Sequence, residues 1–162
     1  MTYPACISEL KEPWVFIAHQ PIYKPDIPEG ILLLELDAYL MTTLGGLYQE
    51  FTSKFQFPDY FGENLNALDE CLTDLEWLPS AGYLLSIKNA EYLLKEEADD
   101  IFEGLLSILK NAGEEWATPI TQGEEWDREG LPFHTILELG EVNLSGFQKK
   151  LRQVSFDISE LS

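Results

Sequence analysis

The sequence predicts an α/β protein built on a small, mostly parallel sheet of three or four strands packed with helices. A continuous apolar run at 31–36 suits a strand buried on both faces, and the apolar-rich segments 83–87 and 133–139 read as further strands. Between them lie segments with apolar residues at three- and four-residue steps, the helical period. Strand, helix and strand in that alternation imply parallel neighbours joined by helical crossovers. With so few strands a two-layer form is expected, since three layers would need helices on both faces.

In chain order, residues 1–13 form a loose or capping arm, because Pro4 and Pro13 limit regular structure. Trp14-Val15-Phe16-Ile17-Ala18 is expected to be an extra strand. Pro21, Pro25, Pro28 and Gly30 make 19–30 a turn-rich connection. Ile31-Leu32-Leu33-Leu34-Glu35-Leu36 is a buried strand, and Asp37 and Thr43 bracket the turn after it. From 44 to 55 one helix face collects Leu44, Leu47, Tyr48, Phe51 and Phe55, with Gly45 and Gly46 weakening the first turn. Phe57-Pro58 ends that helix, since a residue before proline is pushed out of the helical region.

A second helix has Leu65, Leu68, Leu72 and Leu75 on its apolar face. Asp59 or Asn64 caps its start, Gly62 supplies a tight turn or close approach, and Glu63 suits the positive end of its dipole. Pro79, Ser80 and Gly82 close it, and a strand follows at 83–87. Asn89 caps a short helix through Ala90, Leu93 and Leu94. A longer helix runs from 98 to 112 with Ile101, Leu105, Ile108 and Leu109 inward and Gly113 as its stop. Residues 114–130 are acidic, contain Trp116, Pro119, Gly123, Trp126 and Gly130, and read as a loop or an inserted excursion. The strand at 133–139 follows. Leu144, Phe147, Leu151 and Val154 then mark a short amphipathic helix, whose Lys149, Lys150 and Arg152 let the tail dock on an acidic domain. The expected division is an N-terminal extension at 1–30, a domain at 31–140 and a C-terminal extension at 141–162.

Ten basic against 29 acidic residues give a formal charge of -19. Such a chain repels nucleic acid and anionic membrane and attracts basic proteins, so a basic protein is the expected partner. The tail cations leave a nucleic-acid role as a minor alternative. Cys6 and Cys71 make neither a disulfide framework nor a metal spacing. Pro4, Glu9 and Glu12 stand where a signal peptide needs a basic start and an apolar run, and no segment approaches membrane-spanning length. A reducing, cytoplasmic location is expected. Glu63, Asp69, Glu70 and Asp74 could supply an acid/base pair in principle. No phosphate loop or nucleophile motif accompanies them, and His19 and His134 lie in or near apparent strands. No enzyme activity, cofactor or metal is expected.

Residues 57–77 carry six carboxylates and no Lys or Arg. The leucine stripe is core. Asn66, Glu70, Thr73, Asp74 and Trp77 fall mostly on the other side, and Trp77 either edges that surface or packs beneath the loop. An acidic helix face edged by Tyr60 is what a surface for a basic partner needs.

Phe57-Pro58-Asp59-Tyr60-Phe61-Gly62-Glu63-Asn64, followed by Asn66-Ala67-Leu68-Asp69-Glu70-Cys71-Leu72-Thr73-Asp74, resembles the signature of the barstar family, intracellular inhibitors of barnase-like secreted ribonucleases. The version ending Leu72-Thr73-Asp74-Leu75-Glu76-Trp77-Leu78-Pro79 resembles the longer barstar-related subgroup, whose members also carry additions at both ends. The resemblance implies that this helix and the loop before it plug a ribonuclease active site, an aspartate imitating substrate phosphate among Arg, Lys and His side chains. The implied partner is a basic extracellular-type ribonuclease or toxin domain, and the protein would act as its immunity protein. Carried over, Tyr60 is the aromatic that stacks on the enzyme, and Asn64 is the residue between turn and helix. Asn66 stands at a contact aspartate and Glu70 at the central aspartate. Asp69 stands at a tryptophan, and Asp74 and Leu75 at a glycine and a tryptophan. A further contact glutamate on the last long helix has no clear counterpart near Ser107 and Ile108, with Glu103 one turn away. The partner-binding set is therefore Tyr60, Asn64, Asn66, Asp69, Glu70 and Asp74. The alternative is a binding module of the same fold for a different basic protein, without ribonuclease inhibition.

Overall fold

The computed structural model describes residues 3–140 and 145–161. Five strands, β1 (Val15–Ala18), β2 (Ile31–Asp37), β3 (Gly82–Lys88), β4 (Phe133–Glu138) and β5 (Ile158–Glu160), form one sheet in the order β2-β3-β4-β1-β5. Every neighbouring pair is parallel. The α/β class stands, and the strand count is corrected from three or four to five. The missing strand was β5, an Ile-Ser-Glu segment with no apolar run of its own. It is fixed by pairing with Val15, Phe16 and Ile17 of β1.

Four helices, α1 (Leu44–Phe55), α2 (Leu65–Asp74), α3 (Asp99–Ala117) and α4 (Ser145–Arg152), accompany the sheet. Side chains alternate across a strand. Val15, Leu34, Leu36, Leu85, Ile87, Phe133 and Leu137 therefore join Leu47, Phe51, Leu68, Leu72, Leu105 and Leu109 in the main core. Phe16, Ala18, Leu84 and Ile136 point the other way. No helix was foreseen for that face. The N-terminal arm covers it instead, through Cys6 and Ile7, with Tyr3, Ile22 and Ile27 at the margin.

Several local expectations are revised by tertiary contacts. α3 runs through Gly113 to Ala117. Gly113 is no stop: a Cβ there would lie 2.8 Å from Trp14 ring atoms, so the glycine makes room for the indole. Gly46 has a similar purpose at the start of α1, where a Cβ would collide with the Leu40 carbonyl. Asn89 precedes only a 3-10 turn, Ala90–Tyr92, and makes no side-chain cap; its Nδ2 donates to Asp37 at 3.1 Å. The basic tail helix docks on the domain, Phe147 meeting Phe102 edge-on at 5.7 Å with the Lys150 ammonium 5.0 Å from the same ring. Leu144, assigned to that helix from the sequence, lies outside the described residues.

Candidate partner-binding surface

The loop between α1 and α2 is shaped by its aromatics. Gln56 ends α1 in the left-handed region. Phe57 is buried, with the rings of Phe55 at 5.8 Å, Phe61 at 4.9 Å and Trp77 at 6.2 Å. The Phe61 N–H donates to the Pro58 carbonyl at 3.0 Å, closing a turn over 58–61. With Phe57 and Phe61 turned inward, Tyr60 projects into solvent and is 70% exposed. Trp77 packs under this loop, its Nε1 donating to the Phe55 carbonyl at 2.9 Å. It lies past the end of α2 rather than on its outer face.

Asn64, not Asp59, caps α2. Its Oδ1 accepts from the Ala67 N–H at 2.9 Å and its Nδ2 donates to the Gly62 carbonyl at 3.0 Å. The positive φ before the helix, 45°, belongs to Glu63 rather than to Gly62. Leu68, Cys71 and Leu72 anchor the helix in the core. Leu75 is 1% exposed and closes the helix in the left-handed region, with φ 48°. Trp116 of α3 donates from Nε1 to the Leu72 carbonyl at 2.8 Å, so α2 is held at its last turn as well as along its buried face.

That anchoring leaves an outer row. Asn66, Glu70 and Asp74 follow at four-residue steps, about 40° apart around the helix, and all are exposed. Tyr60, Glu70 and Asp74 border one small cleft of about 110 Å³ with Phe61, Ala67 and Cys71. The structure thus brings three of the six sequence-selected residues together and sets Asn66 one turn away in the same row. Asp69 stands on the flank and is half-buried. Burial first, then the Glu70 carboxylate, pushes its carboxyl above the usual range. Asn64 is exposed, but its amide is engaged within the chain. Glu103 is half-buried on α3, beside Gly104, where a Cβ would touch Leu65 of α2.

Among the described residues, none of the six carboxylates between Asp59 and Glu76 takes part in an ion pair. Desolvation and then Asp74 raise the Tyr60 phenol above its ordinary value, so it remains a neutral hydroxyl. The surface thus offers carboxylates without internal cations, one amide and one protruding aromatic ring, fit for gathering the cationic groups of another protein. Beyond it lies a second concavity of about 860 Å³. It runs between the end of α2, the end of α3 and the 118–128 segment, and was not foreseen. The only hint in the sequence was the Trp-, Pro- and Gly-bearing acidic stretch at 114–130.

Among the described residues, no helix is long and apolar enough to cross a membrane, and no group of three or more His, Cys, Asp or Glu side chains could hold a metal ion. The fold resembles the ADP form of the ORC2 protein of Aeropyrum pernix, with a TM-score of 0.52 at 15% identity. That match covers 82% of this chain and 32% of the other. The ADPNP-ADP complexes of the same protein match with a TM-score of 0.51 at 11% identity, over the same shares. At such identity the likeness concerns the fold alone. In sequence, the chain is 36% identical over 69 residues to a Bacillus subtilis (strain 168) protein named "Putative ribonuclease inhibitor YrdF". That alignment covers 43% of this chain and 71% of the relative. The family model described as "Barstar (barnase inhibitor)" matches residues 31–138, the span that contains β2 to β4, the Tyr60 loop and the acidic row. By that match the chain belongs to the barstar (barnase inhibitor) family.

Proposed function

We propose that the protein inhibits a barnase-like ribonuclease, or a toxin with such a domain, by seating the Tyr60 loop and the outer row of α2 in the enzyme's cationic active site. The observation that carries this reading is the row Asn66, Glu70 and Asp74, exposed beside Tyr60 and without internal counter-ions, on a chain of this family. A ribonuclease gathers cations around a phosphate. Carboxylates delivered to the same place gain charge-assisted hydrogen bonds, stronger than neutral ones. Glu70, central in the row, takes the phosphate's place, Asp74 adds a second anion and Tyr60 stacks on the enzyme surface. Asn66 donates and accepts without neutralising a cation. Asp69 contributes from the flank, and Asn64 fixes the start of the helix and presents its outer edge. The helix is preorganised by its leucines and by the Trp116–Leu72 bond, so little ordering cost falls on association.

The charge of -19 speeds encounter with a basic enzyme by long-range attraction. In this reading the protein is a non-catalytic immunity protein acting inside the cell. Residues 31–140 form the inhibitory unit, and the two flanking segments extend its sheet through β1 and β5. The reading is tested by titrating the purified chain into barnase while following RNA cleavage. Activity should fall to zero at one equivalent; full cleavage at a large excess of the chain sinks it. Asn66 favours a second reading, since a neutral amide in the row suits a basic partner other than a ribonuclease. Capture of a non-nuclease basic protein that depends on Glu70 would distinguish the two.

A further inference from the structure

Asp74 faces both concavities: the Tyr60 cleft on one side and the larger groove on the other. Trp116 lies at the groove's base, and Asp74, Glu76, Glu114 and Glu115 line its sides with carboxylates. The one lining cation, Arg128, is already engaged. Its guanidinium donates to the carbonyls of Trp116 at 3.0 Å, Glu129 at 3.0 Å and Glu115 at 3.2 Å, and stacks 4.5 Å from the Trp116 ring.

The far wall is a closed loop. Ile120 and Arg128 exchange backbone hydrogen bonds of 2.9 and 3.1 Å, and the Asp127 carboxylate accepts from the N–H groups of Gln122 and Gly123 at 2.9 and 2.8 Å. On this loop Trp126 is 58% exposed, its Nε1 donating to Gln122 at 3.2 Å. An exposed indole at the rim of an acidic groove is suited to a cationic side chain, which an aromatic face attracts. It is also the residue type most often found as a binding anchor.

We infer that this groove is the second half of the docking surface. It takes a lysine- or arginine-bearing segment of the same basic partner, with a cationic side chain over the Trp126 ring and others paired to Asp74 and Glu115. The inference rests on the inhibitor reading above. Two arguments select the same partner. The shared Asp74 makes the surfaces continuous. A standard interface also spans about 800 Å² on each side, so a partner centred on Glu70 extends well past the edge of the Tyr60 cleft.

Barnase serves as the probe, with the full chain in wild-type, Trp126→Ala, Glu115→Arg and Glu70→Ala forms, each checked for an unchanged melting temperature. Trp126→Ala should raise Kd about tenfold or more, mainly by faster dissociation. Glu115→Arg should weaken binding as well. The fluorescence contributed by Trp126, isolated by difference against Trp126→Phe, should be shielded from acrylamide in the complex. If Trp126→Ala and Glu115→Arg bind as the wild type does and acrylamide reaches Trp126 equally in both states, while Glu70→Ala weakens binding, the groove inference is overturned and the inhibitor reading survives. If wild type does not bind, or Glu70→Ala binds unchanged, the inhibitor reading fails and takes this inference with it.

Discussion

The indole of Trp116 donates from Nε1 to the carbonyl of Leu72 at 2.8 Å, joining the last turn of α3 to the last turn of α2. This bond lies directly behind the acidic row. Trp116→Phe removes the donor and leaves a buried carbonyl without its partner, at a cost of about 1–3 kcal/mol. Urea unfolding should show a lower midpoint with an unchanged slope.

Trp14 packs against Gly113 of α3 so closely that a Cβ there would lie 2.8 Å from the indole ring atoms. Gly113→Val pits a gain in backbone order against a collision with the indole. The collision should dominate, because Trp14 is buried and its ring atoms cannot swing aside. The expected loss is about 1–3 kcal/mol of stability, read from the denaturation midpoint.

Asn64 separates a structural contribution from a contact contribution. Asn64→Ala should lower stability by about 1 kcal/mol, through loss of the cap. Asn64→Asp retains the acceptor for the Ala67 N–H and should keep most of that stability. Thermal melts of the two variants provide the comparison, and equal losses would contradict the capping assignment.

His134 is fully buried between Trp14 at 5.5 Å and Phe16 at 5.6 Å, with Nε2 2.7 Å from the Glu9 carbonyl. That contact requires the N–H on Nε2. Burial holds the imidazole below its ordinary value, against the hydrogen bond to Glu9. The unfolded chain therefore takes up a proton near about pH 6.5 while the folded chain does not. Stability should be undiminished above that pH and fall as the pH drops below it. Chemical denaturation at about pH 7.5 and about pH 5.5 should show this loss in the wild type and a smaller one in His134→Gln.

The sequence carried the parts of this molecule that depend on local periodicity. Leu65, Leu68 and Leu72 marked the buried face of α2 because the helical repeat is written in adjacent turns, and the exposed positions of Asn66, Glu70 and Asp74 followed from it. The features it hid depend on distant partners. β5 has only Ile158, Ser159 and Glu160, and its pairing with β1 cannot be read from so short a segment. Gly113 carries the signature of a helix stop, and only the position of Trp14, 99 residues earlier in the chain, explains why the helix continues. Residues 1–13 read as a loose or capping arm because Pro4 and Pro13 limit regular structure, and nothing local shows which surface such an arm covers: Cys6 and Ile7 pack on the sheet's second face. Trp126 was visible as a residue but not as part of a surface, since its groove is assembled from three separate segments.

The most direct test of the electrostatic plug is the association rate of the wild-type chain and of Glu70→Gln with barnase across a salt series. The wild-type rate should fall steeply as ionic strength rises, because steering between a chain of charge -19 and a basic enzyme is screened. Glu70→Gln should change that slope little, since one charge among many is removed, but should dissociate about a hundredfold faster, as expected for loss of a buried charge pair. A wild-type rate independent of salt, together with unchanged dissociation of Glu70→Gln, would contradict an acidic α2 surface seated in a cationic active site.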